Sequence, residues 1–357
     1  MTRVHVVGAG PVGSIAAISA VREGFDTIVS EEHRVSGVPA NCSGLFSKDG
    51  LESLRAFVDY RKTLINEMHG ADIYFAAEKI SVRRKSPVAF VCKRSELDQA
   101  LAARAEREGA RINYKERISS RFHADNIIGA DGPLSSVARH FSFRRIGRHA
   151  STLQALVDFK CEDPHIVQVY LSNNRFPGFF GWVIPHDEYV AEFGVGVELP
   201  NRAQDAWVRL LKLKKVDGAP KPKGALIPLE VRPNTAMQAG RKSILLVGDA
   251  AGQVKSTTGG GVIFGGNCAA LAGKYAGNPF LYELEWRARF GLDLALHKLL
   301  HDYAASRSDA ELAVLGKKLK KLGWDEYLSK SGHMDRPTRM MGPELAVHLL
   351  KSMAGVA

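Results

Sequence analysis

A glycine-rich motif near the N-terminus limits the possible folds of this chain more than any other feature. Residues 3–7 form a short apolar run that leads into Gly8-Ala-Gly-Pro-Val-Gly13, and an alanine-rich helical pattern follows. Strand, turn and helix in this order are typical of a dinucleotide-binding unit. In such a unit Gly8 allows the tight turn, Gly10 lets the backbone approach a pyrophosphate, and Gly13 lets the helix pack on the strand. The N–H groups at the helix start then face the phosphates.

An acidic residue stands at the end of the next apolar run. Glu31 follows residues 27–30, eighteen positions after Gly13. In dinucleotide-binding folds an acid at this place accepts hydrogen bonds from the adenosine ribose. Together, the motif and Glu31 predict a cofactor that contains ADP rather than a glycine turn with only a structural role.

Three further elements indicate which dinucleotide is bound. Asp249 ends a second buried strand, where it can hydrogen-bond a sugar-alcohol chain such as ribityl, and the glycines at 259–261 let backbone N–H groups approach a flat ring. Asp131 and Gly132 repeat the pattern of a strand followed by an acid. Arg94 begins a helical pattern and is either a phosphate or ring contact or a solvated surface arginine.

These elements, in this order, resemble the FAD-dependent oxidoreductases related to the aromatic hydroxylases, and within them the geranylgeranyl reductase family. Residues 39–44 (Pro-Ala-Asn-Cys-Ser-Gly) are similar to the Cys-x-Gly element that this family has near the flavin. Residues 176–185 (Phe-Pro-Gly-Phe-Phe-Gly-Trp-Val-Ile-Pro) are similar to its aromatic signature in the isoprenoid cavity. Residues 248–261 fit its Gly-Asp region, and residues 335–337 (Asp-Arg-Pro) are a fainter match near the C-terminus.

The resemblance implies an α/β fold with three parts. A discontinuous, Rossmann-like FAD-binding domain of the glutathione-reductase type is expected at residues 1–70, 93–145 and 240–285. An antiparallel β-sheet substrate domain is expected at 71–92 and 146–239, and a C-terminal helical region at 286–357. The stretch between Arg94 and Asp125 is short, so the strands usually found there look trimmed and the chain should be a compact member.

The resemblance also implies the residues of the site. Cys42 and Gly44 are expected at the catalytic position, where Cys42 is a lining residue, a redox-active thiol or a small residue without a role. The expected FAD-binding residues are Gly8, Gly10, Pro11, Val12, Gly13, Glu31, Glu32, Arg34, Ala40, Asn41, Cys42, Arg94, Asp131, Gly132, Gly248, Asp249, Val254, Gly259, Gly260, Gly261 and Val262. The expected substrate-binding residues are Phe176, Pro177, Gly178, Phe180 and Trp182. For these aromatic residues the alternative is an ordinary sheet core.

The implied activity is the hydrogenation of isolated carbon–carbon double bonds in geranylgeranyl chains, as in precursors of archaeal-type membrane lipids. An FAD-dependent monooxygenase of an apolar substrate is the alternative, and the elements at 42–44 and 176–185 favour the reductase. The expected partners are an isoprenoid lipid and an external electron donor: ferredoxin, a reduced nicotinamide or a deazaflavin. As the proton donor, Cys42, Tyr170 and a water molecule stay open.

The chain is strongly basic, with a formal net charge of +11 over 357 residues. This excess suits an anionic partner, although no nucleic-acid motif accompanies it, so nucleic-acid binding is not expected. Lysines at 317, 318, 320 and 321 lie on a predicted helix with Leu315 and Leu319. Such a helix either lies at a membrane interface or packs on the domain.

Metal binding, export and membrane insertion are not expected from the sequence. Four cysteines lie far apart, which argues against zinc and against disulfides. His297 and His301 have the spacing of a metalloprotease helix, but Lys298 replaces the catalytic glutamate and leucines surround them, so helix packing is favoured. No apolar stretch reaches the ~18 residues of a membrane span, and the N-terminus is itself the first strand. We therefore expect a cytoplasmic protein, either free or peripheral at the inner membrane surface.

Overall fold

The computed structural model describes residues 2–40 and 42–342, and within them the chain forms sixteen strands and ten α-helices. The strands are β1 (Arg3–Val7), β2 (Asp26–Glu31), β3 (Leu45–Ser47), β4 (Leu64–Met68), β5 (Gly70–Phe75), β6 (Glu78–Arg83), β7 (Ala89–Cys92), β8 (Arg111–Tyr114), β9 (Asn126–Gly129), β10 (His149–Asp158), β11 (Ile166–Leu171), β12 (Gly181–Pro185), β13 (Val190–Glu198), β14 (Lys223–Pro228), β15 (Ala236–Ala239) and β16 (Lys242–Leu246). The α-helices are α1 (Pro11–Arg22), α2 (Lys48–Ser53), α3 (Arg94–Glu108), α4 (Ser136–His140), α5 (Ala203–Lys214), α6 (Val262–Lys274), α7 (Pro279–Trp286), α8 (Leu292–Ala305), α9 (Asp309–Lys321) and α10 (Trp324–Ser331).

A six-stranded sheet carries the glycine motif. Its strand order is β15-β16-β9-β1-β2-β8, and every pair is parallel except β15 with β16. The central strands β1 and β9 are apolar and buried on both faces, as parallel strands covered by helices require. Helices α1 and α6 cross closely, because Gly273 leaves room where a Cβ atom would lie 2.5 Å from the Ala16 carbonyl oxygen. The predicted Rossmann-like part of the fold is confirmed.

A seven-stranded sheet forms the second layer. Its order is β14-β10-β13-β12-β11-β5-β6, and all pairs are antiparallel except β5 with β11. Helix α5 covers one face, where Phe176, Phe193 and Trp207 share a buried core. The antiparallel substrate sheet expected from the family resemblance is therefore present.

The sheets divide the chain at slightly different places from the predicted domain boundaries. Strand β7 pairs with β3 and β4 in a small third sheet instead of joining β5 and β6. Strand β15 begins at Ala236 and already belongs to the six-stranded sheet, ahead of the expected return at residue 240. The division into three parts itself stays a prediction, and its residues 343–357 lie outside the described residues.

The helical C-terminal part packs on the edge of the seven-stranded sheet. Helix α9 meets β5 and β6 through Gly316, where a Cβ atom would lie 2.9 Å from Phe75 Cβ and from Glu78 Cβ. The basic cluster at residues 317–321 thus stands on helix α9, whose face at Gly316 already packs on the sheet. This contact favours packing on the domain over a position at a membrane interface. In the part of the chain that the structure describes, no helix is both long and apolar enough to cross a membrane.

Candidate active site

A continuous cavity of about 1320 Å³ lies where the three sheets meet. Its wall begins at the glycine motif, at the carboxyl ends of β1 and β2, which is where parallel α/β sheets bind their ligands. From there the wall continues along an apolar face of the seven-stranded sheet. Residues 332–336, 339 and 340 complete it.

The three motif glycines have the geometry that the sequence predicts. Gly8 has a φ of +101°, and a Cβ atom on it would lie 2.5 Å from the Ala130 carbonyl oxygen. A Cβ atom on Gly13 would lie 1.9 Å from the Gly8 carbonyl oxygen, so helix and turn touch through backbone alone. At Gly10 a Cβ atom would meet nothing within 4 Å, and no side chain caps the helix that starts after it. The backbone N–H groups of this helix start remain available to an anion.

Two acids support the loops around this motif. Glu31 is buried, and its Oε2 accepts a hydrogen bond from Ala9 N at 2.7 Å while Oε1 accepts from His33 N at 2.9 Å. It therefore fixes the glycine loop as well as facing the cavity. Asp131 caps α4, because its Oδ2 accepts from Ser136 N at 2.6 Å, whereas its Oδ1 is buried and has no hydrogen-bond partner in the described part of the chain.

Asp249 and the glycines at 259–261 form a second part of the wall. Burial raises the pKa of Asp249 to about 6, the positive charge of Arg94 opposes that rise, and no hydrogen bond contributes. A Cβ atom on Gly261 would lie 2.7 Å from Asp249 Oδ1, so only glycine lets the backbone pass this carboxyl group. Gly259 has a φ of +72°, and a Cβ atom there would lie 2.6 Å from Ile227 Cδ1 of the seven-stranded sheet.

These features fit an extended dinucleotide that carries a sugar-alcohol chain. The open backbone at Gly10 suits a pyrophosphate, and Asp249 offers an acceptor whose side chain has no hydrogen bond within residues 2–40 and 42–342. Asp131 Oδ1 is a further buried acceptor, also without a partner in these residues. The residues present are therefore compatible with FAD.

Arg94 forms a buried ion pair and is not a surface arginine. Its Nη2 lies 2.8 Å from Asp98 Oδ2 and its Nε lies 3.0 Å from Asp98 Oδ1. The positive charge of Arg94 also interacts electrostatically with Cys42, and both residues line the cavity. Gly44 has a φ of +72° and touches the Cys92 carbonyl oxygen, where a Cβ atom would lie at 2.1 Å. Gly44 thus positions the backbone beside β7, and only Cys42 of the pair faces the cavity.

The aromatic signature divides between the two faces of the seven-stranded sheet. Trp182 and Phe180 line the cavity, together with Phe179. The Trp182 indole lies over Gly194, where a Cβ atom would be 2.0 Å from its Cε2, and Phe179 lies in the same way over Gly196. Glycines on β13 therefore let these rings lie flat on the sheet.

Phe176 belongs to the opposite face. It is fully buried in the core beneath α5, and Pro177 and Gly178 also lie outside the cavity wall. Of the five predicted substrate-binding residues, the structure brings only Phe180 and Trp182 to the cavity.

The predicted cofactor residues also divide into two sets. Those in the cavity wall are Gly8, Gly10, Pro11, Val12, Glu31, Glu32, Cys42, Arg94, Asp131, Gly132, Asp249, Gly259, Gly260, Gly261 and Val262. Those that the structure places outside the wall are Gly13, Arg34, Ala40, Gly248 and Val254, whereas Asn41 lies outside the described residues. Gly13 packs against Gly8 of the wall, and Val254 packs against Gly261 of the wall. Arg34 is exposed to solvent.

A buried polar network, which the sequence did not reveal, ties the C-terminal segment to the cavity. Lys255 Nζ lies 2.5 Å from Asp335 Oδ1, and the Ser47 hydroxyl donates to the other carboxylate oxygen. His297 Nε2 lies 3.0 Å from the Asp335 carbonyl oxygen, and its Nδ1 lies 2.7 Å from Thr257 Oγ1. Burial lowers the pKa of His297 to about 4, so this histidine is neutral and packs as part of the network.

Glu192 is a second residue that the sequence did not single out. It is 6% exposed and lies on the face of β13 that carries Gly194 and Gly196. The Trp182 indole Nε1 donates to Glu192 Oε1 at 3.3 Å. Burial raises the pKa of Glu192 to about 8, and the hydrogen bond from Trp182 opposes this rise only in part. The residue is therefore a protonated acid behind the cavity wall at neutral pH.

Comparisons with known proteins agree with this geometry. The FAD binding domain family matches residues 110–271. A digeranylgeranylglycerophospholipid reductase from Methanothrix thermoacetophila is 28% identical in an alignment that covers 87% of this chain and 89% of that protein. The digeranylgeranylglycerophospholipid reductase 2 of Methanosphaera stadtmanae is 31% identical in an alignment that covers 77% of each chain.

Solved structures share the fold. A geranylgeranyl bacteriochlorophyll reductase-like protein from Thermoplasma acidophilum has a TM-score of 0.81 and 23% identity, with 99% of this chain and 97% of that chain covered. A probable FAD-dependent monooxygenase from Pseudomonas aeruginosa has a TM-score of 0.66 and 17% identity, with 88% and 99% covered. Reductases and oxygenases thus use the same architecture, and the fold alone does not separate them.

Replacement of Glu192 should make stability less dependent on pH. In the unfolded chain this carboxyl ionises near its ordinary pKa of 4.5, whereas in the folded protein it stays protonated until about pH 8. The free energy of unfolding therefore falls between these two pH values. Urea unfolding measures the free energy of unfolding at each pH. Between pH 5 and pH 8 we expect this free energy in Glu192→Gln, which keeps an acceptor for Trp182, to rise by roughly 1–3 kcal/mol relative to the wild type. The exposed Glu188→Gln is the control, and a constant difference across pH would contradict the assignment.

Removal of the Asp249 carboxyl should weaken flavin binding. Its unpaired oxygens are available to a ligand hydroxyl, and a hydrogen bond to a charged group contributes about 1.5–3 kcal/mol. We expect Asp249→Ala to bind FAD at least roughly 10-fold more weakly when the apoprotein is titrated and flavin fluorescence is followed. The exposed Asp217→Ala serves as the control. An unchanged affinity in the Asp249 variant would remove this residue from the cofactor site.

Proposed function

The chain belongs to the digeranylgeranylglycerophospholipid reductase family, and from this premise we propose that it hydrogenates the double bonds of geranylgeranyl chains in archaeal-type lipid precursors. It is a flavin-dependent oxidoreductase of the geranylgeranyl reductase type, with FAD as its cofactor. One observation carries the proposal: a cavity that is continuous from the dinucleotide motif to an aromatic, apolar sheet face. Such a cavity holds a long apolar chain next to a flavin.

We propose that FAD lies along the wall from Glu31 to the glycines at 259–261. The start of α1 and Gly10 would hold the pyrophosphate, Glu31 the ribose and Asp249 the ribityl chain. When bound and reduced, FAD supplies a hydride equivalent. All other steps depend on the residues of this chain.

Placement of the alkene is the main task of the protein. An isolated double bond has no carbonyl group that the protein could polarise, so the reaction depends on holding it at contact distance from the ring. Phe179, Phe180 and Trp182 present apolar faces to the cavity and exclude water. Because Gly194 and Gly196 let two of these rings lie flat, the wall is smooth enough for a linear chain.

The second alkene carbon needs a proton, and we assign it to Cys42. The thiol lines the cavity near Arg94, whose positive charge would balance the negative charge left on sulfur after proton transfer. Tyr170, considered from the sequence, lies instead in the core beneath α5, and burial raises its pKa above the ordinary value. A water molecule remains the alternative donor.

Two partners follow from this chemistry. The substrate is an isoprenoid lipid, and an external electron donor must reduce the flavin after each turnover. Ferredoxin, a reduced nicotinamide and a deazaflavin are the candidate donors. A peripheral contact with the inner membrane surface stays a prediction.

Single-turnover mass spectrometry tests the function. The protein is reduced with dithionite without oxygen and mixed with digeranylgeranylglyceryl phosphate. We expect the lipid to gain the mass of two hydrogen atoms for each reduced bond while flavin absorbance returns. An unchanged lipid mass, together with rapid flavin oxidation and lipid hydroxylation when air is admitted, would favour the monooxygenase.

Loss of the Trp182 indole should reduce turnover and leave the flavin in place. The indole forms part of the wall that positions the chain, and misplacement by ~1 Å can cost about 10²-fold in rate. We expect Trp182→Ala to keep its flavin spectrum and to lose at least roughly 10-fold in the single-turnover rate. Tyr189→Ala, an exposed aromatic residue in the turn before β13, is the matched control. Equal rates in the two variants would exclude Trp182 from the cavity's catalytic part.

A further inference from the structure

Basic side chains gather where the C-terminal segment closes the cavity. The turn after β6, the start of α2 and the segment at residues 332–340 meet there. The Arg84 guanidinium donates to the Gly332 carbonyl oxygen at 3.0 Å. His333 Nδ1 lies 3.7 Å from Asp49 Oδ2. We call this part of the wall the mouth, because Lys48, Asp49, Met334 and Arg339 in it are exposed to solvent.

The mouth carries an excess of positive charge. Its basic residues in the cavity wall are Lys48, Arg84, His333, Arg336 and Arg339. His333 and Arg336 each face an acid, since Arg336 Nε lies 3.9 Å from Asp293 Oδ2, so the excess comes from Lys48, Arg84 and Arg339. Asp335 does not offset them, because Lys255 already pairs with it inside the protein. Within residues 2–40 and 42–342, no ion pair joins Arg339 or Lys48 to an acid, and Arg84 contacts only carbonyl oxygens. Asp49 is thus the one exposed acid in the described part of the mouth.

The phosphates of FAD do not account for this charge. They have their own part of the wall at Gly10 and the start of α1, which is built around Ala130 and Glu31. The mouth is built around Ser47, Asp49 and Lys255 instead. A second anion therefore has a place in the same cavity.

Apolar side chains stand directly beside these charges. Met334, Met340 and Leu328 line the wall next to Arg84 and Arg339. Ile73 and Val82 continue it along β5 and β6, and Met68 and Trp182 follow on the apolar face. A ligand that fits both parts is an amphiphile with an anionic head and a long apolar tail.

We propose that the mouth is a phosphate-binding subsite for the headgroup of the lipid substrate, with Arg84 and Arg339 as its principal ligands. The phosphate stays at the mouth while the geranylgeranyl chains extend inward along the apolar face. Guanidinium groups suit this role, since they stay charged and donate paired hydrogen bonds to phosphate oxygens. The inference rests on the proposed function. It adds the chemical group, the phosphate, by which the protein distinguishes its substrate from other isoprenoid compounds.

A pair of lipids tests the subsite. Digeranylgeranylglyceryl phosphate and digeranylgeranylglycerol differ only in the phosphate, and dithionite serves as reductant so that no donor protein is involved. We expect the wild type to have a KM at least roughly 10-fold lower for the phosphate lipid, with similar kcat. Arg339→Gln, whose side chain makes no ion pair or hydrogen bond within the described residues, and Arg84→Gln should each remove most of this preference. Lys85→Gln, which changes the charge equally outside the wall, should retain it.

Each other result overturns the subsite. Equal KM values for the two lipids in the wild type would show that the headgroup is not recognised. An equal loss of preference in Lys85→Gln would indicate general charge attraction instead of a site. If inorganic phosphate protects the wild type against thermal unfolding but does not compete with the phosphate lipid, the subsite serves free phosphate.

Direct binding separates this proposal from the proposed function. The saturated analogue of the phosphate lipid cannot be reduced, and its binding is followed by quenching of tryptophan fluorescence. If neither lipid gains mass but the analogue binds in an Arg339-dependent way, the reductase function fails and the subsite stands. If both lipids are reduced equally well and the analogue binds Arg339→Gln as tightly as the wild type, the subsite fails alone.

Discussion

Backbone-to-backbone contact at glycine is the constraint on which the whole structure depends. The turn at Gly8 touches Ala130 of the strand behind it, and Gly13 brings the helix onto Gly8 itself. Gly259 allows a similarly close approach between the two large sheets, although there its backbone meets the Ile227 side chain. A side chain at any of these places would separate layers that must touch for one cavity to reach from a nucleotide loop to a lipid-binding face. The cofactor site and the substrate site are therefore parts of one packing arrangement.

Local chemistry made the cofactor half of the site predictable. Gly8 and Gly10 act through the turn that directly follows β1, and Asp249 acts from the end of β16, so each is placed by the few residues next to it in sequence. The substrate half depends on strand alternation after a loop, which local sequence does not fix. The structure places Phe176 in the core beneath α5 and Phe179 in the cavity wall. The ion pair of Arg94 with Asp98 can be predicted from the sequence, since the two residues stand one helical turn apart on α3.

Long-range contacts explain what the sequence could not show. Lys255 and Asp335 are 80 positions apart, and Ser47 and Asp335 are 288 apart, so no local pattern connects them. In the sequence Glu192 does not differ from other acids on strands. Only the register between β12 and β13 brings it next to the Trp182 indole. The boundary at β15 has the same origin, because only its pairing with β16 shows which sheet it joins.

The buried pair of Lys255 and Asp335 has a consequence for how a lipid reaches the flavin. Separating two such charges inside a protein leaves each without compensation, at a cost of about 3–5 kcal/mol. The segment at residues 332–340 is thus held to the loop that carries Lys255, at the opening of the cavity. A lipid that enters beside this segment must therefore pass without separating the pair, so the ion pair holds one side of the entrance in place.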